Sequence, residues 1–135
     1  IMIGLNAATS LKIAVIGGIL TIAIADAFSD AFGIHISQES TTTNNHKEIW
    51  EATFATFFVK LIIALTFLIP VFIFPLPTAV KVNIGWGFLL IVIFNYYLAK
   101  SRNESPVKVI SEHLGIAIIV IAITHYVGKF IAIYF

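Results

Sequence analysis

The sequence predicts an all-α, polytopic membrane protein with about four transmembrane helices, and three observations carry that reading. Hydrophobic residues make up 59% of the 135 and charged residues 11%, where a soluble domain carries about 25% charged. Mean hydropathy is +1.01. Four apolar stretches each reach the roughly 20 residues that a helix needs to cross the hydrocarbon core. The whole of 1–135 reads as a single transmembrane helical domain, a multi-pass integral protein whose first partner is the lipid bilayer.

Each span has local signals at its ends. The first reads from Ser10 to Ser37, with Thr9 or Ser10 as its cap, and a polar loop, QESTTTNNHKE, follows. The second reads from Ile49 to Phe74. Trp50 opens it where an indole suits the headgroup level, and Pro70 is expected to bend its far end. Pro75 and Pro77 make a tight turn with Thr78 as a cap, so the second and third spans are expected to form an antiparallel hairpin. The third reads from Ala79 to Lys100, ending in Asn95, Tyr96, Tyr97 and Lys100 at an interface. After the polar KSRNESP, the fourth reads from Pro106 to Tyr134, with Ser105 as N-cap and Pro106 at the first helical position.

Charge and composition exclude several classes. A formal net charge of +1 with no basic cluster supplies no phosphate footprint, so nucleic acid is not an expected partner. The absence of cysteine excludes disulfides, thiolate metal sites and cysteine nucleophiles. No nucleotide-binding loop, dinucleotide fingerprint, HExxH or serine nucleophile elbow occurs. The protein is therefore not expected to be an enzyme or to hold a permanent cofactor. No signal peptide is visible, and the start at Ile1 suggests that residues upstream are missing. Lys47, Lys100, Arg102 and Lys108 lie beside the two polar loops, against Lys12, Lys81 and Lys129 on the other side. That small excess places the loops in the cytoplasm.

The functional signal is two acids inside the first span. Asp26, Asp30, Gly33 and Ser37 fall within about 60° of one another on a helical projection, and the same stripe continued back meets Ile19, Ile22 and Ala23. The polar face thus occupies only the half of the helix nearer the loop, the pattern of a cleft open on that side. An acid at the bilayer centre costs about 2.5–3.5 kcal/mol on insertion scales. Two acids one turn apart repel unless a proton or cation sits between them. With Ser29 nearby, such carboxylates suit a hard or borderline divalent cation, or a proton.

The competing reading is an internal ion pair. Lys60, on a face with Thr53 and Thr56, would neutralise Asp26 or Asp30 as a packing device if it faces them. Ser29, Ser37, Lys60 and Glu112 are the remaining candidates for the ion path, Glu112 with its neighbour His113 at an entry site and Lys108 one turn before it. Glu51 reads equally as a solvated residue or a ligand, His46 as a loop residue, and His125 and Lys129 as interfacial. His35 is expected to point away from the aspartates as an interfacial histidine. The glycines read as sites of close helix packing.

The run ADAFSDAFGIHISQES, Ala25 to Ser40, resembles the second helix of the vacuolar iron transporter family, whose pattern is roughly ADAxSMAxGxYLSxxSE. Ala25, Asp26, Ala27, Ser29, Ala31, Gly33 and Ser37 match it. The stretches IWEATFATFFVKLIIALTFLIPVFIFP and YYLAKSRNESPVKVISEHLGIAIIVIAITHYVGKF are similar to that family's later helices, in order. The resemblance implies a homodimer with the ion path at its interface, exporting Fe²⁺ or Mn²⁺ from the cytosol against protons. Three departures stand beside it. The family's first helix, with its own acidic residue, is absent or reduced to Ile1–Ser10, its metal-binding methionine falls on Asp30, and its cytoplasmic acidic domain is replaced by the Thr/Asn loop. A carboxylate in place of a thioether shifts preference towards Mn²⁺, Mg²⁺ or protons.

A proton-coupled Fe²⁺/Mn²⁺ transporter with Asp26 and Asp30 as metal ligands is the first functional expectation, Lys60 then being a competing internal cation that holds the empty site. A non-transporting structural subunit or interaction protein of a membrane complex is the alternative, and a proton or monovalent-ion pathway is the third. In each, a helix from a second copy, from the missing N-terminus or from another membrane subunit is expected to cover the acids.

Overall fold

The computed structural model describes residues 1–41 and 45–135. Its helices run in the order α1 (Met2–Thr9), α2 (Lys12–Glu39), α3 (His46–Thr66), α4 (Leu68–Ile73), α5 (Leu76–Ser101) and α6 (Pro106–Tyr134), with no strand among the described residues. Four spans are long and apolar enough to cross a membrane: α2, α3 with α4 as His46–Ile73, α5 and α6. The expected all-α membrane class is what the chain adopts. Thr42, Thr43 and Asn44, in the polar loop after the first span, lie outside the described residues.

The helix ends follow local chemistry. Ser10, anticipated as an N-cap of the first span, instead closes α1: it takes a left-handed conformation at φ 54°, and its N–H donates to the Asn6 carbonyl at 3.2 Å. The span proper starts at Lys12. Its second counterpart breaks at Phe67, whose N–H reaches back only three residues to Ala64. Pro70 lies one turn on and has no N–H to give the Thr66 carbonyl, which explains why the helix is interrupted just ahead of it. Pro75, not Thr78, caps α5, so the third span starts earlier than its composition suggested.

The junction between α5 and α6 is specified from both sides. At the end of α5, Glu104 N–H donates to the Ala99 carbonyl at 2.9 Å and Asn103 N–H to Lys100 at 3.4 Å. Asn103 supplies the left-handed residue at φ 54° that this paired C-cap requires. Ser105 and Pro106 then open α6 as anticipated.

The close contacts group into two compact units, Ile1–Val15 with Pro70–Phe135, and Ile16–Ile69. In the first unit, α1 packs against α6 and α5, and α5 against α6. Lipid offers no hydrophobic drive for such packing, so small residues that let backbones approach carry it. Gly4 lies against the Thr124 carbonyl, and a Cβ at Gly128 would meet the Gly4 carbonyl oxygen and the Ala7 methyl. Asn83, buried on α5, donates from Nδ2 to the Met2 sulfur at 2.9 Å. Lys12 Nζ reaches the Phe72 and Phe74 carbonyls, both at 3.3 Å, where a cation complements the C-terminal end of α4.

In the second unit, α2 and α3 run antiparallel. His35 meets Trp50 and Thr53, Phe28 meets Phe57, and Asp26 and Asp30 meet Lys60. On α2 the buried stripe is Ala23, Ala27 and Ala31, continued by half-buried His35 at the same four-residue spacing. On α3 the facing residues Trp50, Thr53, Phe57 and Lys60 are spaced three, four and three apart, the rhythm of a helix seam.

Gly128→Ala is expected to dislodge α1, because the clash is with backbone that cannot rotate away. Overpacking of this kind costs about 1–3 kcal/mol and should lower the thermal unfolding midpoint in detergent. Gly85→Ala, which has open space around the added carbon, should leave the midpoint unchanged.

Candidate functional site: an aspartate pair bridged by lysine

α2 and α3 supply the site because each carries its ionisable residues near the middle. Asp26 lies midway along Lys12–Glu39, and Lys60 midway along His46–Ile73. Asp26 and Asp30 are one helical turn apart, so both carboxylates project to the same flank of the alanine stripe. Lys60 reaches across from α3. Its Nζ donates to Asp26 Oδ2 at 3.2 Å and is also ion-paired to Asp30 Oδ2.

The lysine thus uses one oxygen of each carboxylate. The two Oδ1 atoms accept no hydrogen bond from a described residue, which leaves one oxygen per aspartate for a further cation. Two carboxylates and one ammonium sum to a single negative charge. The side chains are 60% exposed at Asp26 and 40% at both Asp30 and Lys60, so the lysine offsets one of the two charges without enclosing the pair.

Of the other sequence-derived candidates, none joins this cluster. Ser29 and Ser37 are exposed on α2, and their hydroxyls make no hydrogen bond among the described residues. Glu112 is exposed on α6, in the other unit. His113 Nδ1 lies 2.8 Å from the Val109 carbonyl of its own helix. Lys47 and Glu51 pair at 3.7 Å on the exposed side of α3. Among the described residues, no three His, Cys, Asp or Glu side chains assemble as a metal cage. A metal ion at Asp26 and Asp30 would have two carboxylates from this chain and would complete its shell with water, hydroxyl or carbonyl oxygens, a donor set for hard cations.

His35 lies on the flank of α2 away from the aspartates, as its position on the helix predicts, and that flank meets α3 at the seam. Its Nδ1 is 3.0 Å from Thr53 Oγ1, and its ring stands edge-on to Trp50 at 4.7 Å. Thr53 donates its own hydroxyl proton to the Ile49 carbonyl at 2.7 Å, so it can only accept from the ring, and His35 carries a proton on Nδ1. The Phe28–Phe57 pair, at 4.7 Å between ring centroids, separates this polar contact from the ion pair deeper in the hairpin. The sequence signal that could have revealed it is the spacing Ala23, Ala27, Ala31, His35, which differs from the aspartate stripe used to orient the helix.

No protein-family model, curated protein or solved structure matches this chain.

Removing only the cation should be worse than removing all three charges. Lys60→Met leaves two carboxylates without their counter-ion, a loss below the about 3–5 kcal/mol of a fully buried pair because the groups are half exposed. Adding Asp26→Asn and Asp30→Asn to that variant is expected to recover most of the loss, measured as thermal midpoints in detergent around a mutant cycle.

Proposed function

We propose that this chain is a multi-pass membrane transporter that exchanges a cation for protons at Asp26 and Asp30. The observation that carries the reading is the placement of two carboxylates at the middle of apolar spans, held by a single ammonium and left with one net negative charge. Uncompensated charge is costly there, so the pair has a standing demand for one more positive charge, which a proton or a metal ion supplies. Alternation between the two is what couples a cation to a proton gradient. Fe²⁺ or Mn²⁺ is the cargo implied by the resemblance to the vacuolar iron transporter family. The exposed flank of Asp26 supports self-association, a second copy covering the acid as in that family's dimers.

The same ion pair favours a second reading. Lys60 already binds both carboxylates, so the cluster could serve only to hold α2 against α3 in a structural subunit that moves no ion. Flux separates the two.

Proteoliposomes containing the full-length chain are expected to take up at least one of Fe²⁺, Mn²⁺ and Na⁺ and to dissipate an imposed pH gradient as they do so. Asp26→Asn with Asp30→Asn should reduce that flux to the level of empty vesicles. Undiminished flux in the double variant would remove the aspartates from the mechanism, and a folded but silent wild type would favour the structural subunit.

A further inference from the structure

We infer that Lys60 sets the valence of the transported cation, and that with its ammonium seated on Asp26 and Asp30 the site accepts a monovalent metal cation and rejects a divalent one. The inference rests on the transport reading above and narrows its cargo away from the divalent ions implied by the resemblance.

The argument is one of charge and geometry. The ammonium takes Oδ2 of both aspartates and leaves Oδ1 of each outside those contacts. An incoming ion that coordinates Oδ1 therefore need not displace the lysine. Two carboxylates, one ammonium and a monovalent ion sum to zero. The same three groups with a divalent ion carry one net positive charge at the middle of the spans, where an uncompensated charge is penalised. The divalent ion and the ammonium would also lie as near neighbours on one pair of carboxylates, repelling each other.

Within Ile16–Ile69, no other described ion pair involves these three groups. Asp26 and Asp30 are the charged groups that α2 presents to Lys60. On its own helix the nearest acid is Glu51, more than two turns away and paired with Lys47. The valence therefore turns on one side chain. With a neutral residue at position 60, the two carboxylates carry two negative charges, and the ion that balances them is divalent.

The test compares wild type, Lys60→Met and Lys60→Arg in proteoliposomes, with Na⁺, K⁺ and Mn²⁺ as the probes. Wild type is expected to carry Na⁺ or K⁺ in preference to Mn²⁺. Lys60→Met should raise the Mn²⁺ to Na⁺ flux ratio about 100-fold, the factor that one uncompensated charge corresponds to on insertion scales. Lys60→Arg keeps a permanent positive charge and should keep the wild-type preference. Binding gives an independent readout for each variant that remains monodisperse: Mn²⁺ should raise the thermal midpoint of Lys60→Met and not that of wild type.

Equal Mn²⁺ flux through wild type and Lys60→Met overturns the inference while leaving the transport reading in place, as does a wild type that carries Mn²⁺ but neither Na⁺ nor K⁺. Mn²⁺ transport by Lys60→Arg at the Lys60→Met rate overturns it as well, since valence would then not follow the charge. Silence of all three proteins towards all three ions overturns the transport reading itself.

Discussion

The contact between Lys60 and the two aspartates constrains the hairpin that contains it more than any other. Apolar helices in lipid slide and rotate against one another at little cost, because each face they expose is as well solvated by acyl chains as by a neighbour. Three ionisable groups at mid-depth remove that freedom. A slip of one residue turns a carboxylate through about 100°, away from the ammonium. The rest of the seam is consistent with the register so defined: Phe28 meets Phe57, and His35 meets Trp50 and Thr53. Those contacts shape the interface, while the charges decide which of many similar interfaces forms.

The unit containing α1, α5 and α6 is held by different means. There the backbones come together, and the side chains that matter are those that are missing, at Gly4 and Gly128. Polar contacts are few and mostly local. Asn83 on Met2, Lys12 on the carbonyls that end α4, and the paired cap at Asn103 each satisfy polar groups that packing or a helix end would otherwise leave bare. One unit thus obtains its specificity from charge at mid-depth and the other from close approach. Among the described residues, the ion pairs between helices belong to the first of these devices.

The existence of the spans was legible in the sequence, since length and hydropathy alone decide whether a segment can cross a bilayer. Their ends were less so. Thr78 and Ser10 are both reasonable N-caps by residue type, yet Pro75 opens α5 and Ser10 closes α1. Capping preference says which residues can end a helix, not which of several neighbours will. Pro70 was recognisable as a disruptor, but the break falls at Phe67, because the cost of proline is felt one turn earlier, where its missing donor should have been.

At the candidate site the division is similar. Asp26 and Asp30 stood out by themselves, as acids in an apolar helix always do, and Lys60 was identifiable as a residue that would pair with them if it faced them. Whether it did was a question of helix rotation, which no single-helix projection answers. The aspartate stripe oriented α2 by its polar residues and set His35 on the opposite side, with no sign that α3 would meet it there. The folded chain orients α2 by its alanines, with the acids on one flank and His35 on the other, both within reach of α3. The sequence by itself determined the class of the protein and the two acids that need a counter-charge, because those follow from composition and from the cost of ions in hydrocarbon. Only the tertiary structure decided that Lys60 supplies that charge to both acids at once and leaves one unit unbalanced, because that depends on which faces two helices turn to each other.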